Sequence, residues 1–406
     1  MKKVYRYIKN KKLLLSSKYK RLNVLWIPKI KTEENLYREI SRAVWYTYAF
    51  RQKINSIIFY ISPEIKSKIN KYDVPEYADD NIKDLYLEVK SKLIFRTDAK
   101  CISNIYPDIV VSWSNTKHHL NIKAKFPFLV NASVHDNQFE ANQIVKLSSV
   151  FMDKKFILEN NRKLVGLLSN LKNDNYQSVT ILGSGPSLCK YNEVDANNSL
   201  SIICNSVVKN SDLLKKIRPK IVVATDSVFH TGYSKYAAEF RTHLCQALDL
   251  IEEMVFIVPL RDLNIYKSNL PQKYQHRIYG LEGKKLNNFN IDILSQQVVK
   301  STSNVLTFFL FPLAATLSKN INVLGFDGKI DKEEKKFWDY DEKSQFFNSI
   351  CHTKKAHPAF YNVNYTEYYD THCLEVESLV DVLKKKGIKI KNLAPSFIPA
   401  LVKYND

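Results

Sequence analysis

A short apolar run at residues 179–182, VTIL, ends without a spacer in Gly183-Ser184-Gly185-Pro186-Ser187-Leu188. The chain holds only nine glycines, so two of them one residue apart mark a demand of the backbone. Glycine at such a turn permits positive φ and lets main chain come close to a neighbour or a ligand. Pro186 suits the first turn of a following helix, where its missing N–H costs nothing. A strand, a glycine turn and a helix start make the opening unit of a layered α/β domain. Free N–H groups at that helix start suit an anionic group, typically a nucleotide phosphate. The turn is not a dinucleotide fingerprint, because Leu188 stands where GxGxxG needs its third glycine, and it is not a P-loop, because no GK[ST] follows.

The same alternation of short β-rich runs and longer amphipathic segments extends along the chain. In the second half it predicts strands over 178–182, 200–204, 221–224, 255–258, 321–325 and 388–393. Helices are predicted over 211–218, 236–250, 305–318 and 371–386. In the first half it predicts strands over 23–27, 56–61, 93–95, 109–113 and 128–130, with helices over 34–50, 141–151 and 154–173. A polar connector, LKNDNYQ, separates the halves. The expected organisation is an α/β N-terminal domain over 1–173 and a Rossmann-like domain with a mostly parallel sheet over 174–406.

Composition narrows the functional classes. With 406 residues, 45% apolar and 25% charged, the chain is a globular protein and not a disordered one. Its 61 Lys and Arg against 41 Asp and Glu leave a formal charge of +20. That favours partners bearing phosphate or carboxylate groups: nucleic acid, anionic lipid heads or anionic substrates. No nucleic-acid-binding motif accompanies the charge. Cys101, Cys189, Cys204, Cys245, Cys351 and Cys373 show no CxxC spacing and read as free thiols in a reducing, cytoplasmic compartment. The longest apolar stretch, 305–317, is too short for a membrane span and is broken by Pro312. The first 22 residues carry nine Lys or Arg and no acid. They form either a solvated basic end or a peripheral contact with the anionic inner membrane. Their apolar run, LLL at 13–15, is too short for a signal peptide.

Polar residues at strand ends mark the candidate site, since ligands in parallel sheets bind at the carboxyl ends of strands. Asn205 follows the second strand of the C-terminal half, Thr225 and Asp226 the third, and Phe326-Asp327-Gly328 the strand over 321–325. Ser301, Thr302, Ser303 and Asn304 precede an apolar helix, where they cap it or hold a phosphate or carboxylate. His372, Val376, Leu379, Val380 and Leu383 share one helix face, with His372 expected in the first turn. Positive potential there keeps an imidazole neutral and able to accept a proton; the alternative is a hydrogen-bonded core histidine. Tyr361, Tyr365, Tyr368 and Tyr369 cluster just before it, either as packing residues or as phenol donors to a departing phosphate. Cys351, His352 and His357 lack a matching pair of ligands for a metal. Asp339-Tyr340-Asp341 matches the DxD pattern of metal-dependent sugar transferases, but it lies in the charge run 331–343, expected to be a surface loop.

In order, GSGPSL, Cys204-Asn205, Ser301-Thr302-Ser303, GFD, the tyrosine stretch with His372, and Leu393-Ala394-Pro395-Ser396 resemble a family. The chain is similar, over 178–397, to the family 42 bacterial sialyltransferases and the related MptE-like (DUF115) domain of motility accessory factors. The resemblance implies a cytoplasmic glycosyltransferase that needs no metal. It would move a sugar, such as a sialic-type nonulosonic acid, from a CMP donor to a hydroxyl of a surface glycan or lipid-linked glycan. It implies Gly183, Ser184, Gly185, Pro186, Ser187, Asn205, Asp226, Thr302, Ser303, Asn304 and Asp327 around the donor. It implies His372 as the base and Tyr369 as donor to the leaving phosphate. Asn304 stands where the family has a glycine and Ser184 where it commonly has Asn. The TDS run at Asp226 is closer to the MptE-like pattern, whose pterin branch transfers pyrophosphate from ATP with magnesium. The alternatives are therefore a pyrophosphokinase of that type and a non-catalytic glycan-assembly protein. The N-terminal half would serve acceptor or partner recognition.

Overall fold

A computed structural model describes residues 21–98, 107–112, 128–131, 140–329, 339–362 and 364–405. Residues 1–20, with most of the basic end, lie outside these, as do Cys101, Trp113 and residues 331–338 of the charge run.

Two parallel sheets organise the described residues. The first holds β1 (Leu22–Ile30), β2 (Ile54–Ile61), β3 (Leu93–Arg96), β4 (Ile109–Ser112) and β5 (Phe128–Asn131) in the order β3-β2-β1-β4-β5. Every pairing in it is parallel. Parallel neighbours need a crossover, and the helix Glu33–Tyr48 supplies the one from β1 to β2. Thr32 opens that helix, its hydroxyl accepting the N–H of Asn35. Trp26, Trp45 and Tyr46 are buried in the core between helix and sheet.

The second sheet holds β6 (Ser178–Leu182), β7 (Ser199–Cys204), β8 (Ile221–Val223), β9 (Val255–Pro259), β10 (Ile278–Lys284), β11 (Val298–Lys300), β12 (Asn320–Leu324) and β13 (Lys389–Asn392). Its order is β11-β10-β9-β8-β7-β6-β12-β13, and it too is parallel throughout. Both faces are covered, so β8 and β9 read as unbroken apolar runs, while β6 and β7 bury Thr180 and Ser201 among their apolar residues. On one face lie Leu164 and Leu168, Phe311 and Leu313, and Val376 and Leu379. On the other lie Leu213 and Leu214, Tyr236 and Phe240, and Leu263. This is the α/β, Rossmann-like architecture that the alternation predicts.

β10 and β11 go beyond the predicted strands. β10 carries Gly280 and Gly283, which break the β-rich signal because no side chain stands there to pack. Both glycines answer to packing: a Cβ on Gly280 would meet Leu260 Cδ1 at 2.6 Å, and one on Gly283 the Phe308 ring at 2.5 Å. The helix Lys154–Asn173, which ends at the predicted boundary, docks on β10. Its Asn160 side chain donates to Gly280 O (2.7 Å) and accepts the Gly280 N–H (2.8 Å).

The halves meet along a polar seam. Tyr77 to Asp79 pair with the loop after β8: the Asp79 N–H donates to Tyr233 O (2.7 Å) and the Lys235 N–H to Tyr77 O (2.9 Å). Trp45 Nε1 donates to Thr231 O at 2.9 Å. Arg241 lies 4.4 Å over the Trp45 ring and pairs with Asp79 at 2.7 Å, both side chains largely buried. Removing one partner of a buried ion pair strands the other charge. Asp79→Ala should therefore cost about 3 kcal/mol of stability, read as a lower urea midpoint. An unchanged midpoint would remove this pair from the seam's energetics.

Candidate functional site

The strand order of the second sheet reverses at β6: β7 to β11 continue on one side, β12 and β13 on the other. Crevices at such a switch point, outside the carboxyl ends of the strands, are where ligands bind. The glycine turn sits in this crevice. Gly183 N–H donates to Leu324 O (2.8 Å) and Gly185 N–H to Gly325 O (2.9 Å), so the ends of β6 and β12 pack backbone on backbone. A Cβ on Gly183 would lie 2.4 Å from Gly325 O, and one on Gly185 would lie 2.1 Å from Asp327 Oδ2.

A cavity of about 250 Å³ opens here. Of the residues expected around a ligand, Ser184, Gly185, Asn205, Asp226, Thr302, Ser303, Asn304, Asp327 and His372 all line it. They come from the ends of five strands, β6, β7, β8, β11 and β12, and from the interior of the helix that carries His372. Gly183, Pro186, Ser187 and Tyr369 do not line it. Gly183 is used up by the β6–β12 contact. Pro186 opens a short 3₁₀ helix, Pro186–Glu193, in place of the expected α-helix. The Ser187 N–H already donates to Asp327 Oδ1 (3.1 Å), and its hydroxyl accepts the Gly325 N–H (3.2 Å). The Tyr369 hydroxyl accepts the Lys329 N–H (3.1 Å), and it is Tyr368, one residue earlier, that lines the cavity.

The expected phosphate donors at Ser303 are also engaged. Glu375 Oε2 accepts from both the Ser303 N–H (3.2 Å) and hydroxyl (2.8 Å), while the Tyr368 hydroxyl donates to Ser303 O (2.6 Å). Asp327 and Glu375 thus occupy two positions predicted for a ligand's anionic group. Burial raises the pKa of both. The apolar segment after Asn304 begins as a π-turn, Leu306–Leu310, before the α-helix Phe311–Leu317. Pro312 accounts for the widening, since it has no N–H for the regular ladder and its ring would crowd the carbonyl four residues back. Asn304 Oδ1 caps the start by accepting from the Leu306 N–H (2.9 Å).

His372 is buried, and its helix is longer than expected. It runs Tyr365–Lys385, capped by Asn364, whose side chain accepts the Thr366 and Glu367 N–H groups. His372 therefore sits about two turns inside, beyond reach of the helix-end potential. Burial alone lowers its pKa to about 4. The imidazole is neutral at physiological pH for a different reason than the sequence offered.

Two acceptors at the cavity are buried with no hydrogen-bond partner among the described residues: Asn205 Oδ1 and Asp327 Oδ2. Asn205 also holds a left-handed backbone, φ 51°, a strained conformation that clusters at functional sites. Asp226 is pushed up to about 6 by burial. Burial also raises the phenols of Tyr340 and Tyr368, which keeps them protonated as donors.

Several lining residues escaped the sequence reading. His230 and Arg261 belong to it by the strand-end rule, following β8 and β9. Asp339 and Tyr340 correct the expectation of a surface loop: both line the cavity, and the Asp341 N–H donates to Ser184 O (2.8 Å), strapping this segment to the glycine turn. Among the described residues no three His, Cys, Asp or Glu side chains converge as a metal centre requires. No helix among them is long and apolar enough to cross a membrane. The five described cysteines are free. Comparison with protein-family models, curated proteins and solved structures finds no match to this chain.

Proposed function

We propose that the chain is a glycosyltransferase that moves a sugar, such as a sialic-type nonulosonic acid, from a CMP donor to a hydroxyl of a bacterial surface glycan. The observation that carries this reading is a neutral, buried imidazole in the same switch-point cavity as unsatisfied acceptors and protonated phenols. Asn205 Oδ1 and Asp327 Oδ2 suit the amino and hydroxyl donors of cytidine. His372 takes the proton of the acceptor hydroxyl as its oxygen attacks the anomeric carbon. The bond from that carbon to the phosphate oxygen breaks, and CMP leaves with its added charge met by a phenol donor. Tyr340 takes the role that the resemblance assigned to Tyr369, since the Tyr368 hydroxyl already donates to Ser303 O (2.6 Å).

A second reading has its own observation. Asp226, Asp327 and Asp339 all line the cavity, and carboxylates suit a magnesium-bound ATP, as in a pyrophosphokinase. Thermal melts of the full chain with CMP, CDP, UDP and ATP, each with and without Mg²⁺, separate the readings. CMP alone should raise the melting temperature, by the equivalent of about 2.7 kcal/mol at a hundredfold excess over its Kd. A shift with ATP and Mg²⁺ alone would favour the pyrophosphokinase. No shift with any nucleotide would favour a non-catalytic assembly protein.

A further inference from the structure

The helix Glu33–Tyr48 of the N-terminal half does more than cross from β1 to β2. It buries two charged residues that a plain crossover does not need, Glu39 and Arg42, 6% and 3% exposed. Charges are buried only where they are paired and hydrogen-bonded. One terminal nitrogen of Arg42 lies 2.9 Å from Glu39 Oε1, a helical turn back. Trp26 Nε1, on β1, donates to Glu39 Oε2 at 2.9 Å. Sheet and helix together thus fix the guanidinium. Its other terminal nitrogen reaches out of the domain and donates to Ala356 O at 2.7 Å.

Ala356 is the last residue of a helix of the C-terminal half, Ile350–Ala356. The last carbonyls of a helix have no partner within it and carry its negative pole, so a cation suits this one. The Tyr233 hydroxyl donates to the same carbonyl at 3.0 Å. The opposite end of the helix is at the cavity, where Ile350 lines the wall, about 9 Å away at 1.5 Å per residue. Phe360, four residues past the Arg42 contact, lines it too, edge to face with Phe229 at 5.0 Å.

The segment 339–362 therefore forms one wall with three anchors. Asp341 ties it to the glycine turn, the Tyr236 hydroxyl ties it to the helix Lys235–Leu250 through Gln345, and Arg42 ties it to the N-terminal half. The loop that carries His230 to the cavity hangs from the same N-terminal helix, through Trp45 on Thr231 O. Every residue lining the cavity lies between 184 and 398. The N-terminal half can act there only through placement.

We propose that the N-terminal half is part of the catalytic unit and that Arg42 is a positioning residue, setting the wall that carries Tyr340 and Phe360. The consequence for turnover rests on the transferase reading, through Tyr340; the mechanical link from Arg42 to the wall does not. A shift of about 1 Å at groups that meet the reacting atoms costs up to about 100-fold in rate.

The test is amide hydrogen exchange on the full chain, with CMP release from CMP-N-acetylneuraminate measured beside it. Arg42→Lys keeps the charge that Glu39 needs but loses the fork that reaches two partners at once. Tyr233→Phe removes the second donor to Ala356 O and no charge. The double variant should exchange at least tenfold faster over 350–362, with the amides of β6, β7 and β12 within about twofold of wild type. CMP release should fall at least tenfold in kcat, with CMP affinity unchanged, and Arg42→Lys alone should recover part of the loss. Exchange that rises equally in every strand would overturn the proposal, because the contact would then only stabilise the fold. A double variant with wild-type protection over 350–362, or with that helix released and kcat unchanged, would overturn it as well. Should the double variant fail to fold, Tyr233→Phe alone gives the same local pattern or refutes it. If wild type releases no CMP, the transferase reading falls, and the exchange data still decide whether the N-terminal half sets the wall.

Discussion

His372→Ala should lower turnover by about 10²–10⁴-fold, the usual worth of a general base, with CMP affinity unchanged. The imidazole is buried beside the phenols and hydroxyls of the cavity, and burial lowers its pKa to about 4. It is therefore the neutral, proton-accepting form above that value, and the rate should fall only as the pH drops through about 4. Asp226 offers the competing base, and its pKa is raised to about 6; a rate limb near 6 would assign the proton transfer to the carboxylate. The sign for stability follows from the same depression. A histidine buried neutral contributes stability that is present above the ordinary value of 6.5 and lost as the pH falls through the folded value. His372 at about 4 and His230 at about 3 both act in this direction. Wild type should lose stability from pH 6.5 downward, and His372→Ala should lose less over the same range. A variant that keeps full turnover would defeat the catalytic assignment.

Gly325→Ala should be the most damaging small substitution at the switch point. Gly325 adopts φ 77°, and a Cβ there would lie 2.3 Å from Gly183 O, a backbone atom that cannot swing aside. Overpacking of this kind costs about 3 kcal/mol at its upper end. It also pries β6 from β12, so nucleotide binding should vanish with it. Gly387 is the internal control: its φ is 70°, but a Cβ there meets nothing within 4 Å. Gly387→Ala should cost only the positive-φ penalty, about 1 kcal/mol, and leave binding intact. Urea unfolding of the two variants separates crowding from backbone strain. Equal midpoints would show that the β6–β12 contact tolerates a side chain.

The layered α/β architecture was legible because period and length agree: short apolar runs closed by turn residues, then amphipathic helices. Where the pattern failed, a local rule was overridden by packing. β10 hid because Gly280 and Gly283 yield their space to Leu260 and Phe308. The helix bearing His372 was begun too late because Asn364, an ordinary N-cap, lies in a run of tyrosines that reads as a loop. Asn205, Asp226, Asp327 and His372 were found by one idea, polar residues at strand and helix ends. The same idea applied to β8 and β9 yields His230 and Arg261. Tyr368 and Tyr369 differ by one helical step, about 100° of rotation, which no motif spacing resolves without the helix start. Asp339 and Tyr340 were unreadable for a tertiary reason, since only the hydrogen bond from Asp341 to Ser184 brings a charge run to the glycine turn. The engagement of Ser187 and Ser303 by Asp327 and Glu375 is likewise a matter of long-range pairing.

The most direct measurement is a crystal structure of the full chain soaked with CMP. The account predicts the nucleotide at the ends of β6, β7 and β12, its cytidine donors on Asn205 Oδ1 and Asp327 Oδ2 and its phosphate facing the His372 ring. CMP seated instead at the β1–β4 reversal of the first sheet, or bound with the residue 372 imidazole turned from the phosphate, would contradict it.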